Sequence, residues 1–247
     1  MRNKKILVLQ FRTDKSLEHE IECICKAGGY TKDELYIVNV LDEKRFVPKP
    51  EELTNYKALI TAASGQFNVT DWPVWVQRRV KPVVDIFNKA IELDFPTLAI
   101  CFGFQVVAQL LGGKVERDDS QAETGTYKIY LTKEGRNSKL FKQMPKDFFA
   151  VLGHKDSVTK LPRNAVKLAY SDKCGVEAYR LGNNFYGLQF HPELDLDGLI
   201  WRLKLYPEYL KGKSLVDIRS EYSEIVHATK VVENFKALVD EYWDKRV

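Results

Sequence analysis

Short apolar runs alternate with amphipathic segments along the first hundred residues of the chain. The runs are almost continuously apolar, which is typical of parallel strands that are buried on both faces of a sheet. The segments between them have apolar residues at helical spacing. This pattern predicts strands at residues 6–10, 35–40, 58–62 and 98–100 and helices at 16–27 and 74–93.

The alternation of strands and helices predicts an α/β fold with a doubly wound, mostly parallel central sheet and flanking helices. From residue 126 onward the apolar positions alternate loosely with period two, and turn residues separate the runs. Half-exposed antiparallel strands have this pattern, so the second half of the chain is expected to add antiparallel strands to the core. They are predicted at 126–132, 148–152, 165–170, 175–179 and 185–190.

Helical spacing returns after residue 193. Helices are predicted at 196–205, which Pro207 follows, from 214 onward and at 230–243. The apolar face of the last helix suits packing on a partner or on the chain's own sheet, and the second outcome is the more common one. Because no repeat, low-complexity segment or linker is seen, a single domain over residues 1–247 is expected, with residues 194–247 as a helical extension packed on it.

A thiol stands at the junction between the fourth predicted strand and the helix that follows. Cys101 comes directly after the apolar run, Gly103 lies two residues further on, and Gly112-Gly113 ends the helical pattern. A nucleophile elbow needs this order, because the reactive atom must stand above the sheet edge and only small neighbours fit there. A helix N-terminus also favours the thiolate form of cysteine. A buried structural cysteine at the end of a core strand is the alternative.

A histidine and a carboxylate follow a later strand-like run. His191 ends the run, and Glu193 stands after Pro192, which stiffens the link between them. A cysteine nucleophile needs a base that takes its proton and a third group that orients the base. Two strands of one sheet can bring their ends together, so Cys101, His191 and Glu193 are predicted to form a triad.

The residues around this triad resemble a known family. Residues 99–105 (AICFGFQ) are similar to the elbow of the class I (triad) glutamine amidotransferases, and residues 188–193 (LQFHPE) are similar to their His-Pro-Glu signature. The resemblance covers roughly residues 57–193 and is greatest to stand-alone proteins related to the glutaminase domain of GMP synthase. Further segments that match lie at 112–115, 123–125 and 153–162.

The resemblance implies a flavodoxin-like fold and a specific reaction. It implies release of ammonia from L-glutamine through a γ-glutamyl thioester on Cys101, with no metal or organic cofactor. It also implies that the N–H groups of Gly65 and Phe102 form the oxyanion hole. The side chain of Gln105 would help to hold the substrate glutamine; the alternative is a helix residue whose side chain lies in water.

Three positions depart from the family pattern. The loop in which the family usually has Gly-Gly-Pro has Ser-Gly-Gln at residues 64–66. This difference weakens the assignment of Gly65 to the oxyanion hole. Ala99 stands where the family most often has glycine, and alanine is the next smallest residue. Phe104 stands where histidine or methionine is common.

Other polar residues invite a functional interpretation. Residues 12–14, His19 and Glu20 could rim a site at the carboxyl edge of the sheet, although a polar loop and a solvated helix face are more ordinary. Cys23 and Cys25 have Cys-x-Cys spacing without a second ligand pair, so zinc is not expected there.

Two residues of the second half have supporting or structural interpretations. His154 lies in a predicted loop at a position where the family often has a polar residue that supports the site, so His191 is preferred as the base. Cys174 follows a predicted turn and is interpreted as a structural or merely exposed thiol.

Charge, hydropathy and cysteine content limit the classes of partner and the cellular location that are expected. The chain has 38 Lys and Arg residues against 34 Asp and Glu, a formal net charge of +4, and no concentrated basic block, so no nucleic-acid partner is expected. No run approaches the roughly 20 apolar residues that span a bilayer, so no membrane partner is expected either. Four scattered cysteines suit a reducing, cytoplasmic location.

Three functions remain open. The first is a glutaminase that supplies ammonia to a separate synthetase partner, because the chain has no phosphate loop of the Gly-x-x-x-x-Gly-Lys type. The second is a hydrolase of γ-glutamyl peptides or conjugates that uses the same triad. The third is a catalytically silent binding module of the same fold. The acceptor, the pathway and the oligomeric state are not predicted.

Overall fold

A nine-stranded mixed sheet forms the centre of the computed structural model, which describes residues 4–210 and 212–246. A separate two-stranded ribbon lies beside it. In chain order the strands are β1 Ile6–Gln10, β2 Leu35–Asn39, β3 Ala58–Thr61, β4 Thr97–Ile100, β5 Lys114–Arg117, β6 Glu123–Leu131, β7 Asp147–His154, β8 Asp156–Lys160, β9 Val166–Ser171, β10 Ala178–Leu181 and β11 Phe185–Leu188.

The sheet has a parallel half and an antiparallel half. The order is β2-β1-β3-β4-β11-β10-β9-β6-β7; the first five strands run parallel and the last four pair antiparallel. The parallel part has the strand order of flavodoxin-like folds, in which sites form beyond the carboxyl ends of the strands. The predicted fold class, a parallel core with added antiparallel strands, is confirmed.

The helices cover both faces of the sheet. They are α1 Ser16–Gly28, α2 Val74–Val80, α3 Val83–Glu92, α4 Phe102–Leu110, α5 Lys133–Arg136, α6 Leu196–Leu205, α7 Leu215–Ser220 and α8 Val226–Asp244. Buried residues of α1, α6 and α8 belong to one hydrophobic cluster, and those of α2, α3 and α4 belong to another. None of the helices within the described residues combines the length and apolar character of a membrane span.

Two sequence predictions need correction. The single helix predicted at 74–93 is two helices, α2 and α3, because Pro82 lies between them and lacks the N–H that a continuous helix needs. Strands β5 and β8 were not predicted. Their sequences are rich in charged and polar residues, and only Val115 of β5 is buried, so the apolar signal is weak.

The residues after 193 pack closely on the sheet. In α8, Val231, Phe235 and Leu238 are buried in the core, so the predicted apolar face packs on the chain's own sheet. The indole N–H of Trp243 donates to the carbonyl of Lys57 at 2.7 Å. The extension therefore packs on β7 of the antiparallel half and on α1, and α6 lies next to His191 and Glu193. Its interpretation as part of one domain stays a prediction.

Candidate active site

Cys101 occupies a sharp turn between β4 and α4. Its backbone has φ 47° and ψ −103°, a conformation that residues other than glycine adopt only when their surroundings impose it, at a cost of about 1–3 kcal/mol. Its N–H donates to the carbonyl of Leu188 at 2.7 Å, which fixes the turn to the end of β11. A Cβ at Gly103 would lie 2.5 Å from the carbonyl oxygen of Thr61, so only glycine fits there. These are the features of a nucleophile elbow.

His191 reaches the elbow because its own strand is the neighbour of β4. Strands β4 and β11 pair in parallel with Ile100 opposite Leu188, and both end at the same edge. The N–H of His191 then donates to the carbonyl of Val151 in β7 at 2.8 Å, which turns the chain back over the edge. This bridge places His191 close enough to Cys101 for the charge of the cysteine to raise the pKa of the imidazole.

Glu193 holds the other side of the imidazole. Its Oε1 lies 2.8 Å from Nδ1 of His191, and both side chains are buried. Burial favours the neutral imidazole, but the charges of Glu193 and Cys101 outweigh it and raise the pKa of His191 to about 9. Burial likewise opposes ionisation of Glu193, yet the positive charge of His191 lowers the pKa of Glu193 to about 2. At neutral pH the pair is therefore an imidazolium and a carboxylate.

Arg202 of α6 lies against this ion pair and stabilises the charge of Glu193. Its Nη2 lies 3.4 Å from Oε1 of Glu193, and its Nη1 lies 3.4 Å from Nδ1 of His191. The guanidinium is buried, and its charge contributes to the low pKa of Glu193. Arg202 was not predicted from the sequence, because nothing in the spacing of a helix after the His-Pro-Glu motif marks one basic residue as inward-facing.

The side chain of Gln105 is buried and does not lie in water. Its Nε2 donates to Oε1 of Gln189 at 2.9 Å and to the carbonyl of Asp156 at 2.7 Å. Nε2 of Gln189 in turn donates to Sγ of Cys101 at 3.6 Å. Gln105 thus orients Gln189 against the thiol. Gln189 was not singled out from the sequence, although it lies inside the LQFHPE segment.

Gly65 and Phe102, the predicted oxyanion-hole residues, lie at the site but face different cavities. Phe102 lines a cavity of about 10 Å³ together with Cys101, whereas Gly65 lines a cavity of about 40 Å³ together with His191. Ser64 lines both, and its hydroxyl accepts from the N–H groups of Gln66 and Phe67 at 3.3 Å each, which holds the loop in a turn. The oxyanion assignment stays a prediction.

The polar residues near the first strand are only partly solvated. Arg12 and Glu20 form an ion pair with 3.0 Å between Nη2 and Oε1, and each side chain is 1% exposed. The interpretation as a solvated helix face is therefore wrong for Glu20, because a charge at this depth is stabilised only by a partner. Arg12 lines the cavity next to His191, whereas His19 stacks on Trp201 with 4.1 Å between ring centroids.

A second group of polar side chains is buried below the site, and its donor atoms lie within 4.8 Å of one another: Glu123, His154, Cys174 and Glu177. Oε2 of Glu123 lies 3.0 Å from Nε2 of His154. His154 is the last residue of β7 and not a loop residue. Cys174 is fully buried and not an exposed thiol. These residue types can ligate Zn²⁺, so the group needs a chemical interpretation.

Protonation of Glu177 removes one of the two carboxylate charges of this buried group without a metal. Burial and the neighbouring charge of Glu123 raise the pKa of Glu177 well above its usual value, which favours its protonated form. Glu123 keeps its charge, because His154 and a hydroxyl of Ser171 at 2.8 Å from Oε1 stabilise it. The expectation that this protein uses no metal stays a prediction.

Replacement of Glu177 by glutamine is expected to change the free energy of unfolding by less than about 1 kcal/mol, since an amide has the shape and charge of the protonated carboxyl. Glu123→Gln is the matched variant and is expected to destabilise by about 2–4 kcal/mol, because it removes the charge between His154 and Ser171. Urea denaturation measures both. Equal losses in the two variants, together with stoichiometric zinc in the purified protein, would instead identify a metal site.

Comparisons with known proteins identify the family and the fold. The family model described as "Glutamine amidotransferase class-I" matches residues 68–198. A solved glutamine amidotransferase from Methylobacillus flagellatus superposes with a TM-score of 0.76 at 19% identity, covering 96% of this chain and 94% of that chain, which shows a shared fold.

Two curated relatives carry more specific names. A protein from Methanococcus maripaludis, named as one of the subunits of the glutamine-hydrolysing GMP synthase, is 42% identical over 108 residues, 43% of this chain and 55% of that protein. Gamma-glutamyl peptidase 4 from Arabidopsis thaliana is 32% identical over 154 residues, 61% of this chain and 59% of that protein. The chain spans between 20% and 59% of the length of the first curated relatives it matches.

Proposed function

Because this chain belongs to the glutamine amidotransferase class-I family, we propose that it releases ammonia from L-glutamine with Cys101 as nucleophile, His191 as acid and base, and Glu193 as the group that orients His191. One observation supports this proposal most: the strained elbow places Cys101 next to the buried pair of His191 and Glu193. Nδ1 of His191 and Oε1 of Glu193 are 2.8 Å apart.

The first step forms a thioester. The thiolate of Cys101 attacks the side-chain amide carbon of glutamine, and the oxygen becomes an oxyanion that accepts from the N–H groups of Phe102 and Gly65. The imidazolium of His191 gives its proton to the amide nitrogen. The carbon–nitrogen bond breaks, ammonia leaves, and a γ-glutamyl thioester remains on Cys101.

The second step hydrolyses the thioester and regenerates the free enzyme. A water molecule gives a proton to the now neutral His191 and attacks the thioester carbon. The carbon–sulfur bond breaks, glutamate leaves, and the thiolate of Cys101 is restored beside the imidazolium. Glu193 keeps Nδ1 of His191 bonded in both steps, so Nε2 is the nitrogen that exchanges protons with the reacting groups.

The ammonia is proposed to pass to a separate synthetase. The relative from Methanococcus maripaludis is named as part of GMP synthase, and the sequence contains no Gly-x-x-x-x-Gly-Lys phosphate loop with which to activate an acceptor. The proposed partner would therefore bind the nucleotide and the acceptor, while this chain binds glutamine at the carboxyl edge of its sheet.

A γ-glutamyl peptide or conjugate is the second candidate substrate. It is supported by the similarity to the peptidase from Arabidopsis thaliana, which extends over 61% of this chain. The same triad would act, and an amine of the conjugate would leave in place of ammonia. The difference between the two candidates lies in the group beyond the scissile bond.

Release of glutamate from L-glutamine and from γ-glutamyl dipeptides by the purified protein separates these candidates. Glutamine turnover with equal amounts of glutamate and ammonia is expected. Turnover of dipeptides alone would favour the peptidase. Turnover of neither substrate, with a Cys101 that a glutamine-like alkylating agent does not modify, would contradict the triad and favour a silent binding module.

A further inference from the structure

A side chain from the C-terminal extension lines the space beside Cys101. The cavity there has about 10 Å³, which is about the volume that one water molecule needs, whereas sites for small ligands have about 300–1,000 Å³. Tyr209 lines this cavity and also the cavity beside His191. Its ring is buried and lies 4.3 Å from Nζ of Lys155, which also lines the cavity beside Cys101.

Tyr206 fixes the same segment over the proposed oxyanion loop. A Cβ at Gly65 would lie 2.3 Å from the ring of Tyr206, so the ring lies directly on that glycine. The hydroxyl of Tyr206 donates to Oδ2 of Asp14 at 2.7 Å and lies 2.8 Å from Oγ of Ser16. Tyr206 thereby ties the segment to the connection between β1 and α1, across the mouth of the site.

The segment is a short link between two helices. Residues 207–209 form one 3₁₀ turn between α6 and α7, and Pro207 and Glu208 are exposed. Gly212, beyond the turn, has φ 86°, a backbone conformation open to glycine. The contacts described for the segment are those of the two tyrosine rings, of Leu210 with the core and of a small set of hydrogen bonds.

We propose that residues 206–210 form a lid whose Tyr209 occupies the glutamine site when the site is empty, and that the hydroxyl of Tyr206 latches this lid to Asp14 and Ser16. The proposal rests on the proposed function, because it names Cys101 as the atom that the lid blocks. Substrate reaches Cys101 only after Tyr209 leaves, so the latch sets how often the site of the free protein is open.

Tyr206→Phe tests the latch without removing the ring. It is expected to raise the rate at which iodoacetamide alkylates Cys101 about three- to tenfold, the effect of losing one or two hydrogen bonds. KM for glutamine is expected to fall by a similar factor while kcat changes little, since the open state is then more populated. Peptide mass spectrometry assigns the alkylation to Cys101. Tyr209→Ala is expected to have the larger effect on alkylation.

Tyr130→Phe is the matched control. Its hydroxyl also donates to a carboxylate, Oδ2 of Asp172 at 3.2 Å, but on the surface of β6. Wild-type alkylation and KM in this control, with faster alkylation in Tyr206→Phe, support the lid. Unchanged alkylation of Cys101 in folded Tyr206→Phe and Tyr209→Ala would overturn it. Faster alkylation without glutamine turnover in any variant would support the lid and contradict the proposed function.

Discussion

Replacing Cys101 with alanine is expected to lower the rate of glutamate release from glutamine by about 10⁴-fold or more. Without the thiolate no thioester forms, and a water molecule must attack an amide that the oxyanion hole alone activates. Alanine keeps the Cβ that the elbow already accommodates at φ 47°, so the fold is expected to stay intact. Cys101→Ser is expected to be nearly as inactive, because a hydroxyl is far less ionised than a thiol.

The measurement compares glutamate release with covalent labelling by a glutamine-like alkylating agent. The wild-type protein should gain one label on Cys101, and the alanine variant should gain none there. Cys25→Ala is the control, because Cys25 is a half-buried thiol of α1 outside the site, and wild-type activity is expected. Retention of more than a few per cent of the activity in Cys101→Ala would remove Cys101 from the mechanism.

The parallel half of the fold could be predicted because its strands are buried on both faces. Such strands need apolar residues at nearly every position, as in β1 and β3, and continuous apolar runs are visible in a sequence. Strands β5 and β8 pair only with each other and keep many polar residues, so they give no comparable signal. The break between α2 and α3 could have been predicted from Pro82.

The residues of the candidate site also include some that could be predicted from the sequence and some that could not. Cys101, His191 and Glu193 could be predicted because the elbow and the base each depend on neighbours along the chain. Arg202 and Tyr209 could not, since their roles depend on how the extension packs across the sheet edge. Local spacing carries no information about that packing. The sequence marks the lid only by the proline that ends α6.

The environment of Tyr206 shows how distant contacts decide the role of polar residues. Asp14 and Ser16 look like an ordinary polar loop in the sequence, and their hydrogen bonds to each other are typical of one. Their proposed role in the lid arises from a tyrosine that follows them by about 190 residues. The same applies to Glu20, whose burial is explained only by Arg12.

Glu193→Gln is expected to lower kcat/KM for glutamine by about 10²–10⁴-fold, because an amide does not hold the tautomer of His191 and does not stabilise its positive charge. A smaller loss is expected for the conservative change Glu193→Asp, which keeps the charge. Since the variant leaves His191 and Arg202 buried without a carboxylate, a lower thermal midpoint is also expected. Glu233→Gln, an exposed glutamate of α8, is the control with the same chemical change.

The pH dependence distinguishes this role from a merely structural one. His191 must be protonated to give a proton to the leaving nitrogen, so activity should fall as pH rises through the pKa of about 9. Burial acts to lower that pKa, and the charge of Glu193 is the largest influence that raises it. In Glu193→Gln burial dominates, so the basic limb should move to lower pH.

The stability of the protein should follow the same ionisation. The raised pKa of His191 makes a contribution that is fully present below the unfolded value of about 6.5 and is lost as pH rises through about 9. Glu193→Gln should remove this part of the pH dependence, whereas Glu233→Gln should retain it. Profiles of kcat/KM and thermal midpoint from about pH 6 to about pH 10 test both points. A basic limb that stays near pH 9 in Glu193→Gln would show that Glu193 does not set the charge of His191.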